Sequence, residues 1–377
     1  MSDGQPLAQR LAARMQLGLL GTSNTIAHGV RVGRRVAQAM KDGGLVRRLP
    51  PRGTEPIRIS AICTLGNRVE AYAGYLYLVV VVRRDVTIQA GQVAYGTEDA
   101  ACEIDILPYG DVRQRIGLKQ YAMMFRLLNR MIKEPDPPRL ILVDHTLLLP
   151  KEFANSDDDD VQREYQEVAN TAGAFWEEVR PLLSPWVNAG LTIVGLPQTK
   201  RMGEPLRSLA KGKAGALVDA VGTGIIQTAL APDRTIDEVG APRIMATVLW
   251  PEQRSAAFAY SGLGLDPRTE PQILRKELDI VSFHYRSGLR TAPIQVEIPG
   301  GHKWNSEALD RLAGKLVEAT PFDQPDAVPL PLWLGRQQFR NLSPKDILEQ
   351  YQRATFQTLR SGELDKAWLQ GWEPEGK

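Results

Sequence analysis

A short apolar run near the middle of the chain ends in an acid. The segment Leu140-Ile-Leu-Val143 predicts a buried strand, and Asp144 follows it directly. An acid after a strand is often only a turn or capping residue. The other interpretation is that this is the acidic strand of a catalytic core, and Asp144 is therefore the first candidate for a functional side chain.

The elements around this strand change character along the chain. Residues 6–42 are predicted to be helical because Leu7, Leu11, Met15 and Leu19 recur every four residues. The predicted order continues with strands 57–64, 72–82, 85–94 and 101–107, helix 111–133, strand 140–143, helix 161–183, strand 191–196 and helix 204–221. Successive strands favour antiparallel hairpins, and the later alternation favours parallel crossovers. We therefore predict an α/β fold with a mixed sheet flanked by helices.

The last third of the chain adds further elements to this core. The predicted strands are 243–250, 256–260, 280–285 and 294–298, and the predicted helices are 307–319 and a last one that Ser343 caps. We divide the chain into an N-terminal helical segment (1–50), a main domain (55–350) and a C-terminal helical tail (351–377).

Composition and motif searches exclude several classes of function. The 46 basic and 44 acidic side chains nearly cancel, so a DNA-binding surface must be a local patch. Two cysteines make no disulfide framework and favour a cytoplasmic location. The sequence has no zinc-ligand spacing, no Gly-x-Ser-x-Gly elbow and no P-loop ending. It also has no signal-peptide pattern, and its longest apolar run, residues 75–82, is too short to span a membrane.

Several motifs together resemble the NurA family of DNA-end nucleases. These motifs are Leu142–Leu147, Thr192–Lys200, the pair Phe283–Ser287 and Pro293–Pro299, and the closing segment Val328–Leu334. With the order of elements, the resemblance covers residues 55–350. It implies an RNase H-like core and a manganese- or magnesium-dependent nuclease that works on DNA ends. It also implies a homodimer that docks on a hexameric HerA-type ATPase.

The chain departs from the acidic motifs of that family. The middle-strand motif Asp-Gly-Ser-Leu becomes Asp144-His-Thr-Leu147, and the first-strand Asp-Gly-Ser becomes Ala61–Gly66, which has no carboxylate. The helical Glu of the family would lie near Gln120, where again there is no acid. The closing motif usually continues with Ala-Asp, whereas this chain has Gly335-Arg336. The acidic site is thus predicted to be incomplete or rebuilt.

Two-metal phosphodiester hydrolysis places two divalent ions about 4 Å apart and needs several converging carboxylates. Glu103 and Asp105 lie on one face of a predicted strand and are a candidate replacement pair. We predict Asp144, Glu103 and Asp105 as catalytic, and Asp144 and Glu103 as ligands of manganese or magnesium. The alternative is that Glu103 and Asp105 simply face solvent. His145 is a candidate ligand or proton carrier, although a lone histidine is more often a packing residue.

A cluster of cations follows the predicted strand 191–196. Lys200 and Arg201 come just after it, and Arg207 lies on the next predicted helix. We predict these three residues to bind DNA, because Lys and Arg side chains are the usual partners of phosphate. A solvated basic pair is the alternative interpretation.

The sequence therefore leads to two hypotheses from different classes. The first is a NurA-like DNA-processing nuclease that works with a HerA-type ATPase in DNA repair or antiviral defence. The second is a catalytically inactive protein of the same fold that serves its partner complex as a scaffold or DNA clamp. The acids missing at Thr64 and Gln120 favour the second on chemical grounds.

Overall fold

The computed structural model describes residues 7–51, 53, 55–71, 74–108, 110–147, 149, 153, 156–187, 189–197, 240–259, 280–300 and 303–361. The strands are β1 (Val46–Arg48), β2 (Ile57–Ala71), β3 (Gly74–Gln89), β4 (Gln92–Leu107), β5 (Leu140–Val143), β6 (Thr192–Gly195), β7 (Gln253–Ser255), β8 (Phe258–Ala259), β9 (Val281–Arg286) and β10 (Ile294–Ile298). The helices are α1 (Leu7–Asp42), α2 (Val112–Ile132), α3 (Asp159–Val179), α4 (Ala241–Val248), α5 (Ser306–Glu318), α6 (Leu330–Leu342) and α7 (Pro344–Ser361), with a 3-10 turn at Arg180–Leu182.

The strands of the described residues form a ten-stranded mixed sheet. Its order is β1-β7-β9-β10-β6-β5-β2-β3-β4, and β8 pairs with β9. The strands β2, β5 and β6 are parallel neighbours, whereas β3, β4 and β10 join antiparallel. The predicted α/β fold with a mixed sheet flanked by helices is therefore confirmed.

Two long hairpins form one end of the sheet. β2 pairs with β3 from Ile57 opposite Ile88 to Ala71 opposite Gly74. The turn to β4 is the pair Ala90 and Gly91, with φ of 48° and 79°. A two-residue turn with two positive φ values suits the twist of the strands that it joins.

The prediction of separate strands 72–82 and 85–94 is wrong, because β3 runs through the charged residues between them. Arg83 and Asp85 are buried there, and Arg83 donates to Asp85 with Nε···Oδ1 2.9 Å and also to Glu134. These ion pairs let the strand continue where the sequence suggested a break. A register shift between Arg84 and Val86 in the β3–β4 ladder accommodates the extra residue.

Apolar clusters cover both faces of the sheet. One face packs against α2 and α3, with Tyr77, Val79 and Ile141 of the sheet in that cluster. The other face packs against α5, α6 and α7. Central strands covered on both sides explain why β5 and β6 are entirely buried.

The prediction of a strand at 243–250 is wrong, because residues 241–248 form α4. Its β-branched residues Ile244, Thr247 and Val248 favoured a strand, but Ile244, Met245 and Val248 are buried at helical spacing. α4 packs against the C-terminal third of α1, and a Cβ on Gly33 would lie 2.8 Å from Thr247 Oγ1. The predicted helix 204–221 lies outside the described residues. Among the described helices, none combines the length and apolar character that crossing a membrane requires.

Candidate functional site

The parallel pair β2 and β5 brings the candidate residues together. Ile62 lies opposite Val143 in the ladder, and the Asp144 amide donates to the Ile62 carbonyl at 2.9 Å. Cys63 and Thr64 therefore run beside Asp144 and His145 where β5 ends. Side chains alternate across a strand, so neighbouring residues here reach opposite faces of the sheet.

Asp144 is held by an arginine from α6. Arg336 donates through Nε to Asp144 Oδ2 at 2.9 Å and through Nη2 to Oδ1. The carboxylate side chain is only 6% exposed, whereas the guanidinium side chain is 32% exposed. Burial disfavours the charged guanidinium, but the hydrogen bond and charge of Asp144 outweigh it and raise the pKa of Arg336. Both oxygens of Asp144 are thus engaged by a cation that the chain itself supplies.

Gly335 is what lets α6 approach this strand. A Cβ at residue 335 would lie 2.6 Å from Cys63 Sγ. Burial and the negative charge of Asp144 raise the pKa of the Cys63 thiol, against the opposing effect of Arg336. Cys63 is therefore a neutral packing residue at this contact, and not a thiolate ligand.

A polar cluster without a carboxylate occupies the other side of β2. Thr64 Oγ1 shares a hydrogen bond with His145 Nε2, and Gln120 Nε2 of α2 donates to Thr64 Oγ1 at 3.3 Å. The Tyr121 and His145 rings lie 5.1 Å apart. Thr64 and Gln120 are the two positions where the family resemblance expected acids. The structure brings them together, but neither supplies a carboxylate.

A buried glutamate fixes the loop after Asp144. Glu297 of β10 is fully buried, and its Oε2 accepts from Thr146 Oγ1 at 2.6 Å and from the Leu147 amide at 2.9 Å. A Cβ on Gly195 would lie 2.8 Å from Leu147 Cγ, so only glycine leaves room for this loop. Glu297 was not among the residues predicted to be functional. Apolar Ile294, Val296 and Ile298 alternate with polar Gln295 and Glu297, which is the pattern of a strand with one face in solvent, so no local signal marked Glu297 as buried.

The motif Phe283–Ser287 contains a buried histidine. His284 of β9 is 1% exposed, and neither of its ring nitrogens has a hydrogen-bond partner among the described residues. Burial lowers its pKa to about 3. His284 is therefore neutral at physiological pH.

The structure does not bring Glu103 and Asp105 to Asp144. They lie on edge strand β4, opposite Val79 and Tyr77, whose side chains pack toward α2 and α3. Glu103 accepts from Tyr77 Oη at 2.5 Å and pairs with Lys119, and exposed Asp105 accepts from the Ile106 amide. β4 is three strands away from β5, on the order of 14 Å across the sheet. The carboxylate of Asp144 instead reaches α6 on the opposite face.

These residues do not fit a two-metal site. A hard divalent ion needs converging oxygen ligands, preferably carboxylates. Here the carboxylate of Asp144 is already engaged by Arg336, and its neighbours Thr64, Gln120 and His145 supply no further carboxylate. Within the described ranges, no group of three or more His, Cys, Asp or Glu residues could hold a metal ion. A guanidinium in this position also repels a second cation.

The three predicted DNA-binding residues, Lys200, Arg201 and Arg207, lie outside the described residues. Their role stays a prediction.

Comparison with known proteins finds a similar fold but no sequence match. No protein-family model matches the sequence, and no curated protein matches it. The NurA nuclease from Sulfolobus solfataricus superposes with a TM-score of 0.59 at 14% identity, over 94% of this chain and 98% of that one.

Two further solved structures are more distant. NurA with manganese gives a TM-score of 0.40 at 10% identity, over 93% of this chain and 99% of that one. The catalytic domain of human Endonuclease V gives 0.35 at 14% identity, over 82% and 96%. TM-scores below 0.5 do not establish a shared fold. The match to the Sulfolobus solfataricus protein over nearly the whole length of both chains does, and this protein has the fold of the NurA nuclease, as its sequence motifs predicted.

Proposed function

We propose that this protein is a NurA-like DNA-processing subunit whose nuclease site has been rebuilt, so that it serves as a scaffold or DNA clamp. Of the two hypotheses from the sequence, this one agrees better with the geometry of the site. The observation that carries it is the two-point contact between Arg336 and the buried carboxylate of Asp144.

The ion pair opposes metal binding in two ways. A metal would have to displace a guanidinium that is hydrogen-bonded to both oxygens of Asp144, and so break two charge-assisted hydrogen bonds. The displaced cation would also remain nearby, because Gly335 holds α6 against the strand. We therefore propose that neither manganese nor magnesium is a resident cofactor at this site.

The partners of the proposed subunit follow from the resemblance. They are DNA, a second copy of the chain and a hexameric HerA-type ATPase in the cytoplasm. Because the sequence has no P-loop, the partner would supply ATP hydrolysis. Lys200, Arg201 and Arg207 remain the proposed DNA contacts. The process served is DNA repair or defence against foreign DNA.

A cleavage assay tests the proposal. The purified protein, alone and with its ATPase, is incubated with linear duplex and single-stranded DNA in manganese or magnesium. We expect no cleavage above that of an Asp144→Ala control, although the protein still co-purifies with the ATPase and shifts DNA in a gel. The Sulfolobus solfataricus NurA nuclease serves as the positive control. Metal-dependent cleavage by the wild type that Asp144→Ala abolishes would establish the nuclease hypothesis instead.

A further inference from the structure

β4 forms one edge of the sheet, and its outer side is open. In the sheet order it pairs with β3 alone, and among the described elements no other packs extensively along it. None of the residues Glu98–Ile106 is buried. Within the described part of the chain, the backbone N–H and C=O groups on the outer side of β4 therefore have no partner strand.

This edge is long and lacks the usual protection against pairing. Proteins commonly keep edge strands short or interrupt them with lysine or proline. The opposite edge strand, β1, has only three residues. β4 has 16 residues without a proline, lysine or arginine, and its stretch Glu98–Ile106 pairs with β3 without a break in register. At 3.4 Å per residue, this stretch offers a partner an edge of roughly 30 Å.

The two faces of this stretch differ in character. Asp99, Glu103 and Asp105 lie on the face toward α2 and α3. The small or apolar side chains at positions 100, 102 and 104 lie on the other face, toward α6 and α7. A strand added to this edge would therefore meet acids on one face and small or apolar side chains on the other.

We propose that the edge of β4 over Glu98–Ile106 docks an extended segment of a different protein, which adds to the sheet as a further strand. Backbone hydrogen bonds along the edge provide the affinity, and side chains at alternate positions provide the selectivity. Basic residues at every second position lie beside the acids, and apolar residues between them cover positions 100, 102 and 104. This interaction goes beyond the function proposed above.

Charge identifies the occupant. The cations that reach the acids come from α2, on the inner side: Arg130 lies 3.4 Å from Asp99, and Lys119 lies 3.7 Å from Glu103. Among the described residues, Asp105 has no cationic partner. A second copy aligned on the same edge brings acids against acids, and like charges directly opposite destabilise a strand pair. A segment with alternating basic residues is attracted at the same positions.

Synthetic peptides test the predicted pattern. The probe is the fluorescently labelled octapeptide Lys-Val-Lys-Val-Lys-Val-Lys-Val, whose binding to the full chain is measured by fluorescence anisotropy. The order Lys-Lys-Val-Val-Lys-Lys-Val-Val keeps the charge but loses the alternation. Proline in place of two central valines keeps the charge but disrupts strand pairing. We expect both control peptides to bind at least about 10-fold more weakly than the alternating peptide.

Variants of β4 test the role of the acids. Asp99→Lys/Asp105→Lys should weaken binding of the alternating peptide roughly 10- to 100-fold, because attractive cross-strand pairs become repulsive. The matched control Glu167→Lys/Glu177→Lys makes the same change in net charge at exposed positions of α3. This control should keep the wild-type affinity within about twofold.

Two measurements on the wild-type chain do not depend on the fold of a charged variant. Outward-facing amides of residues 98–106 should exchange hydrogen at least about 10-fold more slowly when the alternating peptide is bound. Cys102 is exposed, whereas Cys63 is buried. An alternating peptide that carries a pyridyl-disulfide cysteine in place of one central valine should therefore form a mixed disulfide with Cys102, and faster than the Lys-Lys-Val-Val peptide with the same group.

Several outcomes would overturn the proposal. One is unchanged amide exchange over residues 98–106, and another is equally tight binding of either control peptide. A third is a wild-type dimer whose β4 amides are already protected and which does not bind the peptide, because a second copy would then occupy the edge. None of these measurements uses DNA or the ATPase, so this proposal and the proposed function can fail separately.

Discussion

At the scale of single residues, Arg336 determines the electrostatics of the site. Its guanidinium donates two hydrogen bonds to a carboxylate that is almost completely buried. We expect Arg336→Ala to destabilise the protein by about 2–4 kcal/mol, because Asp144 would be left buried without a partner. The partial exposure of Arg336 keeps this cost below that for a fully buried pair. Urea unfolding at neutral pH measures the change in the free energy of unfolding.

The comparison variants separate this effect from a general loss of charge. Arg163→Ala removes an exposed arginine that pairs with Asp160 three residues earlier on the same helix, and it should cost less than about 0.5 kcal/mol. Asp144→Asn/Arg336→Met removes both buried charges and should lie closer to the wild type than Arg336→Ala does. If Arg336→Ala proves as mild as Arg163→Ala, the ion pair does not hold the site together.

The sequence predicted which residues lie at the site better than it predicted which residues contact one another there. The strand pattern marked Asp144, and the resemblance marked Thr64 and Gln120, which the structure brings together. It could not pair Asp144 with Arg336, 192 residues later in the chain, because that contact depends on how α6 packs on the sheet. The alternation of side chains along β4 correctly put Glu103 and Asp105 on one face of that strand. It could not show that this face is the one opposite to the carboxylate of Asp144.

At the scale of elements, the approach of α6 to β2 positions the ion pair. We expect Gly335→Ala to destabilise the protein by about 1–3 kcal/mol, because its Cβ would lie 2.6 Å from Cys63 Sγ and push the helix outward. The variant should also weaken the coupling between Arg336 and Asp144. Thermal unfolding and a double-mutant cycle measure these two effects.

A second glycine in a helix provides the control. A Cβ on Gly314 of α5 would have Pro50 Cγ, 4.0 Å away, as its nearest neighbour, so Gly314→Ala should be neutral or slightly stabilising. Replacing Cys63 by alanine in the Gly335→Ala background removes the Sγ atom and should recover part of the loss. Equal effects of the two glycine substitutions would show that the close approach of α6 is unimportant.

The two elements that the sequence patterns predicted wrongly, α4 and β3, share one physical cause. Residues 241–248 have strand-favouring side chains, yet they form α4 because burial against α1 selects a helical spacing. β3 continues through Arg83 and Asp85 because these two charges neutralise each other inside the protein. In both places tertiary contacts outweigh local preference, and local preference is all that a single sequence displays.

At the scale of the whole molecule, sheet order explains how distant segments make one site. The alternation of strands and helices correctly indicated a parallel core, which β2, β5 and β6 form. The sequence did not indicate that β10 would pair beside β6 and thereby bring Glu297 under the loop after Asp144. Nothing local specifies which edge of a sheet a later strand joins.

A molecule that holds DNA without cutting it needs cations outside the site around Asp144. We expect Lys200→Ala/Arg201→Ala/Arg207→Ala to weaken DNA binding at about 100 mM salt by roughly 10- to 100-fold. The slope of log affinity against log salt should become shallower by up to about 3, since each lost phosphate contact removes about 0.9. Fluorescence anisotropy over a salt series measures both quantities.

The control for this prediction removes the same amount of charge elsewhere. Arg163→Ala/Arg311→Ala/Lys345→Ala takes away three cations that pair with acids on their own helices, namely Asp160, Glu307 and Glu349. Because those acids already offset them, this variant should keep most of its affinity and nearly the wild-type salt slope. Co-purification with the ATPase should be unchanged in both variants. Equal losses in the two variants would mean that net charge binds the DNA, and the assignment of Lys200, Arg201 and Arg207 would then fail.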